Sequence, residues 1–371
     1  MVDVREGALI LALLRKGATV PCLSALTRIP LADHEQSDPE PLAERLGREV
    51  EERGLEGCPA ATLLYRPQFS LILTESPGGV EGEDLRAAMQ WRVRDLLDFP
   101  VEDAVLDVLP IPELDLPGEG PPLFVVAAQR RTVKERVQAG RDAGLDLRVV
   151  DIPDMAHRNL GLLLPDQDAS GTCLLVLDTE NPLISISRGG ELIFSRQLAV
   201  DIGEEIEEVA RRLDVEGDEA RQLAASHGLA GMPEAPGKRG MTPGAYQGPE
   251  EGGLELEAEP SVQQADPLHA ALTDYAERLA LEVQRSLDYY DSRFRQAAIR
   301  KVHIAGTGSR VNGLEEYLAG ALGLDFRQFD PLSHLETTEL LRSEAGVDQE
   351  LLQEAVYAIG AGLRLMDAGG G

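Results

Sequence analysis

A glycine-rich stretch late in the chain has the residue types of a phosphate-binding loop. Residues 302–326 read VHIAGTGSRVNGLEEYLAGALGLDF, and this pattern predicts a strand, a glycine turn, a helix and the start of another strand. Asn312, with Glu315 three positions on, is predicted to cap the helix, which would place backbone N–H groups where anions bind. The glycine spacing does not match the dinucleotide fingerprint, and no Gly-Lys-Ser/Thr follows as a P-loop requires. Other parts of the chain therefore have to show whether this is a nucleotide site.

The composition restricts the class of protein. With 371 residues and 43% hydrophobic content, we expect two or more packed units with real cores. No apolar run reaches the roughly 18 residues of a membrane span and no signal peptide is evident, so we expect a cytoplasmic protein without a direct membrane span. The net charge of -30 argues against a nucleic-acid partner. Cys22, Cys58 and Cys173 are scattered, which predicts buried thiols and no metal site.

The first part of the chain is predicted to alternate strands and helices. Residues 1–30 read as short strands, and ATLLYRPQFSLILT reads as a second strand pair folded at Arg66-Pro67. In EDLRAAMQWRVRDLLD the apolar residues recur at helical spacing, which predicts an amphipathic helix that ends before Pro100 and leaves Trp91 off the apolar stripe. The stripe comprises Leu85, Ala88, Met89, Val93, Leu96 and Leu97. The strands DAVLDVL, PLFVVAA and LDLRVVDI, with a helix near 132–143, complete a predicted inserted subdomain.

The second part is predicted to begin at Cys173. CLLVLDTENPLISISRGGELIFSRQL reads as three strands, with Gly189-Gly190 forming a tight hairpin turn, and a helix follows at 201–213. Residues 231–262 are rich in Gly, Pro and Glu, which predicts a disordered insert. A long helix capped by Asp266-Pro267 is predicted next, with an apolar stripe at Leu268, Leu272, Tyr275, Leu279, Val283, Leu287, Tyr290 and Phe294. ELLQEAVYAIGAGLRLM reads as a final helix.

Four blocks of the sequence occur in the order expected for one family. They are MQWRVRDLLDFPVEDAVLDVLPIPE, VVDIPDMAHRNL, LEVQRSLDYYDSRF and KVHIAGTGSRVNGLEEYLAGALGL. Together with the strand hairpins and an acidic residue at a strand end, they resemble the actin-like ATPase fold and, more closely, the PilM and MshI proteins of type IV and MSHA pilus assembly. The run WRVRDLLDFPVED favours the MshI branch.

This resemblance implies an α/β, bilobed actin-like ATPase fold with an inserted small α+β subdomain in the first lobe. The implied first lobe is 1–170 with the subdomain at about 80–150, and the second is 171–345; a C-terminal helix and glycine tail at 346–371 return to the first lobe. The resemblance also implies a cytoplasmic protein that is peripheral to the inner membrane. It would bind the N-terminal cytoplasmic tail of a PilN- or MshJ-like inner-membrane pilus protein.

The resemblance further implies a cleft for ATP with Mg²⁺, in which two hairpin loops of the type Asp-x-Gly-x-x-x-Thr/Ser approach the phosphates. Both loops depart from that pattern in this sequence. VDVREGALILALL has no Asp-x-Gly with a downstream Ser or Thr, and LDTENPLISIS has Glu180 at the glycine position and Pro182, which lacks a backbone donor. A carboxylate at about 4 Å from a phosphate oxygen would cost on the order of 1 to 4 kcal/mol. We therefore expect nucleotide binding to be lost or weakened.

The candidate site residues follow from these loops. Gly306, Thr307, Gly308 and Ser309 form the loop that would bind adenosine, and their contacts would also suit ordinary packing. Asp178 is the candidate catalytic residue, which could hold a magnesium-bound water or could cap the turn that follows it.

Two functions are compatible with these features. The first is an adaptor without chemistry of its own, whose partner surface includes Trp91 and Phe99, because an aromatic outside the main helical stripe can anchor an extended peptide. The other interpretation of Trp91 is packing between subdomains. The second function is an ATPase whose nucleotide state regulates the same partner. A small-molecule kinase is disfavoured because it needs the same phosphate loops, whereas oligomerisation is compatible with the sequence.

Overall fold

The computed structural model describes most of the chain. The described residues are 1–77, 79–111, 120–164, 171–229, 267–294, 297–338, 341 and 348–367. The predicted disordered insert at 231–262, the cap at Asp266 and the glycine tail lie outside these ranges.

Three sheets and the helices around them make up the described ranges. The strands are β1 Val2–Arg5, β2 Ala8–Arg15, β3 Cys22–Pro30, β4 Pro59–Leu63, β5 Phe69–Glu75, β6 Ala104–Pro110, β7 Pro122–Gln129, β8 Asp146–Asp151, β9 Thr172–Val176, β10 Leu183–Arg188, β11 Glu191–Gln197, β12 Lys301–Ala305, β13 Asp325–Gln328 and β14 Glu336–Thr337. The helices are α1 Asp33–Ser37, α2 Pro39–Glu52, α3 Gly82–Val93, α4 Arg130–Asp142, α5 Pro153–Gly161, α6 Ile202–Leu213, α7 Gly217–Ser226, α8 Pro267–Phe294, α9 Leu314–Leu322, α10 Gln349–Glu354 and α11 Val356–Asp367.

The first lobe is built on a six-stranded sheet in the order β14-β3-β2-β1-β4-β8. Strands β1 to β3 form an antiparallel meander, and β4 lies parallel to β1. Val2 and Val4 belong to the core under α2, whereas Asp3 lies opposite Ile10, which belongs to the core under α11. Because side chains alternate along a strand, Asp3 and Arg5 face α11. The polar residues of β1 are thus directed toward the middle of the molecule.

The predicted strand pair at Arg66-Pro67 is wrong. Both strands exist, but β4 pairs with β1 and β8 in the large sheet, whereas β5 pairs with β7 in a separate three-stranded sheet, β5-β7-β6. Strand β8, which we predicted to lie in the subdomain, is therefore part of the large sheet as well. Pairing between distant strands is not a local property, so a turn-forming dipeptide did not identify the partners. The domain boundaries stay predictions.

The subdomain packs α3 against its small sheet through Met89 and Val93, which contact Leu123 and Val125. The regular helix ends at Val93 and is followed by a 3₁₀ turn at Arg94–Leu96. Leu96, predicted to lie on the apolar stripe, is 61% exposed, because the tighter turn rotates it away from the helix face.

The second lobe has a five-stranded sheet in the order β11-β10-β9-β12-β13. The predicted hairpin is confirmed: Gly189 and Gly190 have φ values of 58° and 83° between β10 and β11. The apolar stripe of α8 is buried throughout, as predicted. Helix α5 packs against the strands β9 to β11 and α11 packs against β2 and β4, and these two helices also pack against each other. They form the base of the cleft between the lobes.

Two further expectations need correction. Cys58 is exposed, whereas Cys22 and Cys173 are buried as predicted. Asn312 does not cap α9: the N-cap is Gly313, with φ 80°, and the Asn312 amide donates instead to the Ser226 carbonyl at 2.9 Å. A left-handed glycine at that position places the asparagine one residue too early to act as the cap.

Candidate functional site

A buried arginine connects the two hairpin loops at the cleft. The turn between β1 and β2 and the turn that follows β9 face each other across the lobes, and Arg5 extends between them. Its Nη1 donates to Asp178 Oδ2 at 2.6 Å, its Nε donates to Asp3 Oδ2 at 3.0 Å, and its Nη2 donates to the Glu354 carbonyl at 3.1 Å. All three guanidinium nitrogens therefore have partners inside the protein.

The surroundings of this cluster exclude water and favour a permanent cation. Arg5 is 4% exposed, and Asp3 and Asp178 are 0% and 3% exposed. The guanidinium lies 4.9 Å from the centre of the Tyr65 ring and 5.6 Å from that of the Tyr357 ring, positions that permit cation–π attraction. Burial acts to lower the pKa of Arg5, but Asp178 and Asp3 raise it well above its ordinary value, so Arg5 stays charged. Burial raises the pKa of Asp3, and Arg5 partly opposes that change.

Asp178, the candidate catalytic residue, is bound by the protein on both carboxylate oxygens. Oδ1 accepts from the backbone N–H groups of Glu180 at 3.1 Å and Asn181 at 3.0 Å, while Oδ2 accepts from Arg5. Of the two roles open to it, the structure shows the turn cap. Glu180 lies at the exposed rim, where its Oε1 accepts from the Glu6 N–H at 3.2 Å. Both oxygens of Asp178 therefore already accept hydrogen bonds from the protein, and a carboxylate bonded in this way fits a magnesium-bound water poorly.

The glycines of the predicted adenosine loop are required by packing. Gly306 has φ 89°, and a Cβ there would lie 2.6 Å from the Leu177 carbonyl oxygen. A Cβ on Gly308 would lie 2.9 Å from the Leu177 Cβ, and the Gly308 N–H donates to the Leu177 carbonyl at 2.8 Å. Ser309 Oγ donates back to the Gly306 carbonyl at 2.7 Å. Three of the four candidate residues thus have their close contacts within the fold.

Thr307, the fourth candidate, faces a small cavity. Its hydroxyl lies 3.1 Å from that of Thr179, next to a cavity of about 70 Å³. Ligand pockets usually measure about 300–1,000 Å³, so this cavity is small for a nucleotide. Arg221 and Arg310 also line it, and both contact Glu350, at 3.5 and 3.3 Å. The two cations at this end of the cleft therefore already share a carboxylate.

The candidate partner residues lie on the subdomain, apart from the cleft. Trp91 is 75% exposed, so the alternative in which it packs between subdomains does not hold. The Arg94 guanidinium lies 5.9 Å from the Trp91 ring, and Leu96 is exposed nearby in the chain. Phe99 is partly buried. We refer to Trp91, Arg94 and Leu96 as the α3 surface.

Two of the residues that organise the cleft, Asp3 and Arg5, were missed by the sequence analysis. Asp3-Val4-Arg5 and Asp178-Thr179-Glu180 each place a charged residue two positions after an aspartate, where the resemblance expects glycine. The shared pattern identifies both loops, but only Glu180 was recognised. Arg5 was missed because VDVREGALILALL was examined for a glycine motif alone.

The chain was compared with curated protein sequences, solved structures and protein-family models. No curated protein sequence matches it. Among solved structures, it is similar to a "PilM-PilN type IV pilus biogenesis complex", with 21% identity, a TM-score of 0.73, and coverage of 98% of this chain and 97% of that chain. The ethanolamine utilization protein EutJ from Carboxydothermus hydrogenoformans gives 12% identity, a TM-score of 0.47 and coverage of 98% and 88%. The structure of MreB5 of Spiroplasma citri bound to ADP gives 10% identity, a TM-score of 0.44, and coverage of 93% of this chain and 82% of that chain.

The similarity to the structure titled a PilM-PilN complex agrees with the two-lobed architecture described above, and the chain has the actin-like ATPase fold. In the described ranges, no helix is long and apolar enough to cross a membrane. Residues 24–233, more than half of the chain, match the family model of the type IV pilus assembly protein PilM. The chain belongs to the PilM family of type IV pilus assembly proteins.

Proposed function

We propose that this protein is an adaptor in type IV pilus assembly, which binds the N-terminal cytoplasmic tail of a PilN-like inner-membrane protein. The family match supports a role in pilus assembly, and the similar structure that is titled a PilM-PilN complex supports a PilN-like partner. Binding to such a tail would place the protein in the cytoplasm at the inner membrane. The run WRVRDLLDFPVED supports an MSHA-type system, with an MshI-like adaptor and a MshJ-like partner.

The observation that favours an adaptor over an ATPase is the hydrogen bonding of Asp178. Both of its oxygens are bound, by Arg5 and by two backbone N–H groups. Glu180 adds a carboxylate at the rim of the same loop. A nucleotide phosphate would have to displace a buried ion pair and approach two carboxylates, and each of these steps is unfavourable. The nucleotide cleft is accordingly proposed to be degenerate.

The alternative is an active ATPase whose nucleotide state regulates the assembly complex. The cavity beside Thr179 and Thr307 favours it, because hydroxyl groups at that position could contact a ribose. ATP with Mg²⁺ would then require Arg5 to leave Asp178.

Titration calorimetry decides between the two. The probe is the N-terminal cytoplasmic peptide of the PilN-type protein from the same organism, titrated into the full chain with and without millimolar MgATP. We expect micromolar peptide binding that MgATP does not change, and no heat from MgATP alone.

The control variant is Thr307→Glu, which places a carboxylate at the cavity rim without touching the tightly packed glycines. MgATP heat that this variant abolishes, together with a nucleotide-dependent peptide affinity, would support the ATPase and reject the degenerate cleft. Absence of peptide binding under all conditions would reject the adaptor.

A further inference from the structure

Arg5 joins the two hairpin loops inside the protein, next to the exposed bond from the Glu6 N–H to Glu180 Oε1. It extends from β1 in the sheet of the first lobe, and Asp178 follows β9 in the sheet of the second. Its other two partners, Asp3 and the Glu354 carbonyl, do not belong to the sheet of the second lobe. The pair with Asp178 therefore links the lobes, whereas the pair with Asp3 lies within one strand.

The base of the cleft has hydrogen bonds and a ring contact of its own. Asn159 of α5 donates to the Gly360 carbonyl of α11 at 3.0 Å, and Tyr357 of α11 donates to the Asn181 carbonyl at 2.6 Å. His157 of α5 stacks on Tyr357, with ring centres 5.4 Å apart. The Asn159 and His157 contacts lie between two packed helices, whereas Tyr357 also reaches the turn that follows β9 and lies beside Arg5. The Arg5–Asp178 pair adds a buried charged connection between the sheets of the two lobes.

We propose that Arg5 is a built-in latch: its guanidinium takes the place between the two hairpin loops that a ligand would occupy, and it holds the lobes closed without any ligand. The latch rests on the proposed function only in assuming that no nucleotide performs this task, and it does not depend on the identity of the partner. A planar guanidinium suits the role because it bonds Asp3, Asp178 and a carbonyl at once, in fixed geometry. Domain closure of this kind normally needs a bound ligand. Here the closed arrangement belongs to the chain itself.

The two aspartates provide a matched pair of variants. Asp178→Asn and Asp3→Asn each remove one charge from a buried carboxylate that contacts Arg5, and each keeps the side-chain shape. Only Asp178→Asn weakens the bond between the lobes. A general loss of stability would affect both variants, whereas loss of a latch would open the lobes only in Asp178→Asn.

The measurement is the distance between spin labels at Glu44 on α2 and Glu316 on α9, both of which are exposed. Double electron–electron resonance is recorded on the full chain in a Cys58→Ser background, with and without MgATP. We expect one narrow distance for the wild type and for Asp3→Asn. Asp178→Asn should add a longer distance, with the open population raised at least about tenfold, as expected from loss of one charge-assisted hydrogen bond.

Two further variants keep the test decisive. If Asp178→Asn does not fold, Arg5→Lys retains the charge but cannot bond all three partners, and it should show the longer distance to a smaller extent. Arg28→Ala removes an exposed ion pair to Glu354 and should leave the distance unchanged. An unchanged distance in Asp178→Asn, or equal opening in Asp3→Asn, would overturn the latch. A shift on adding MgATP to the wild type would instead count against the degenerate cleft.

Discussion

The cleft and the α3 surface differ in where their binding groups find partners. In the cleft, Arg5 and Asp178 are almost completely buried and are bonded to other groups of the protein. On the α3 surface, Trp91 and Leu96 are 75% and 61% exposed. The cleft has therefore little capacity left for a ligand, whereas the α3 surface would gain by removal of its apolar area from water. If the proposed function holds, this protein carries its partner surface apart from the cleft between its lobes.

The first half of this comparison states that the groups of the cleft contact other parts of the protein. It would fail if the glycines of the 306–309 loop served to bind a ligand instead of allowing close packing. Gly306→Ala should lower the free energy of unfolding by about 2 to 4 kcal/mol, from the positive φ and from the close approach to Leu177. Gly320→Ala is the control, because Gly320 lies on α9 with nothing near its Cβ position. That change should be neutral or stabilising by up to about 1 kcal/mol.

Urea denaturation followed by circular dichroism measures both glycine variants. Equal stability of Gly306→Ala and the wild type would mean that the loop tolerates a side chain. The packing explanation of its glycines would then be wrong, and the cavity beside Thr307 would become the better explanation of the loop's shape.

A pH experiment tests the same claim at the base of the cleft, where His157 is buried. Burial lowers the pKa of His157 from 6.5 to about 3, and its Nδ1 lies 2.7 Å from Ser185 Oγ. Because the folded pKa is depressed, the unfolded chain binds the proton first, and stability present above about pH 6.5 is lost as the pH falls. From about pH 6.5 to about pH 5 the loss should be about 1.5 kcal/mol.

The matched protein for this experiment is His157→Gln, which cannot titrate. Its free energy of unfolding should lack that decline. Buried carboxyls such as Asp3 and Asp154, whose pKa values burial raises, are present in both proteins, so their effects cancel in the difference. Parallel pH profiles for the two proteins would show that His157 becomes protonated without unfolding, and that the base is more accessible than the structure indicates.

How much of the molecule the sequence predicts depends on the range of the interaction. The buried stripe of α8 and the turn at Gly189-Gly190 were predicted, because helical periodicity and hairpin chemistry act over a few residues. The partner of β4 was not predicted, because it pairs with strands far along the chain. Helix α7 was missed as well, since it has only 10 residues and too few turns to show a clear period.

The candidate site shows the same division. The aspartate at the end of β9 and the glycine loop were located from local pattern, and the resemblance of the ordered blocks to the actin-like fold implied two lobes. The latch was not found, because Arg5 and Asp178 are 173 positions apart, and a charged residue in a short strand gives no local sign of burial. The place of Trp91 off the helical stripe left both exposure and packing between subdomains open, and the exposure of Leu96 depends on a 3₁₀ turn.

The second half of the comparison concerns the α3 surface. Trp91→Ala tests it and should change stability less than the substitutions in the cleft. A side chain that is 75% exposed contributes little packing, so the melting temperature should stay nearly unchanged. If the α3 surface binds the partner tail, affinity for the PilN-type peptide should fall at least about tenfold, as expected for an exposed aromatic anchor. Calorimetry gives the affinity and scanning calorimetry gives the melting temperature.

Leu281→Ala is the control that distinguishes loss of a specific binding surface from a general loss of exposed apolar area. Leu281 is 50% exposed on α8, in the other lobe, and its removal should change neither quantity. Unaltered peptide binding by Trp91→Ala would remove this residue from the partner site. A lower melting temperature would mean that Trp91 supports the subdomain. Only weaker binding by an equally stable Trp91→Ala, beside an unaffected Leu281→Ala, leaves the α3 surface as the region where this fold meets its partner.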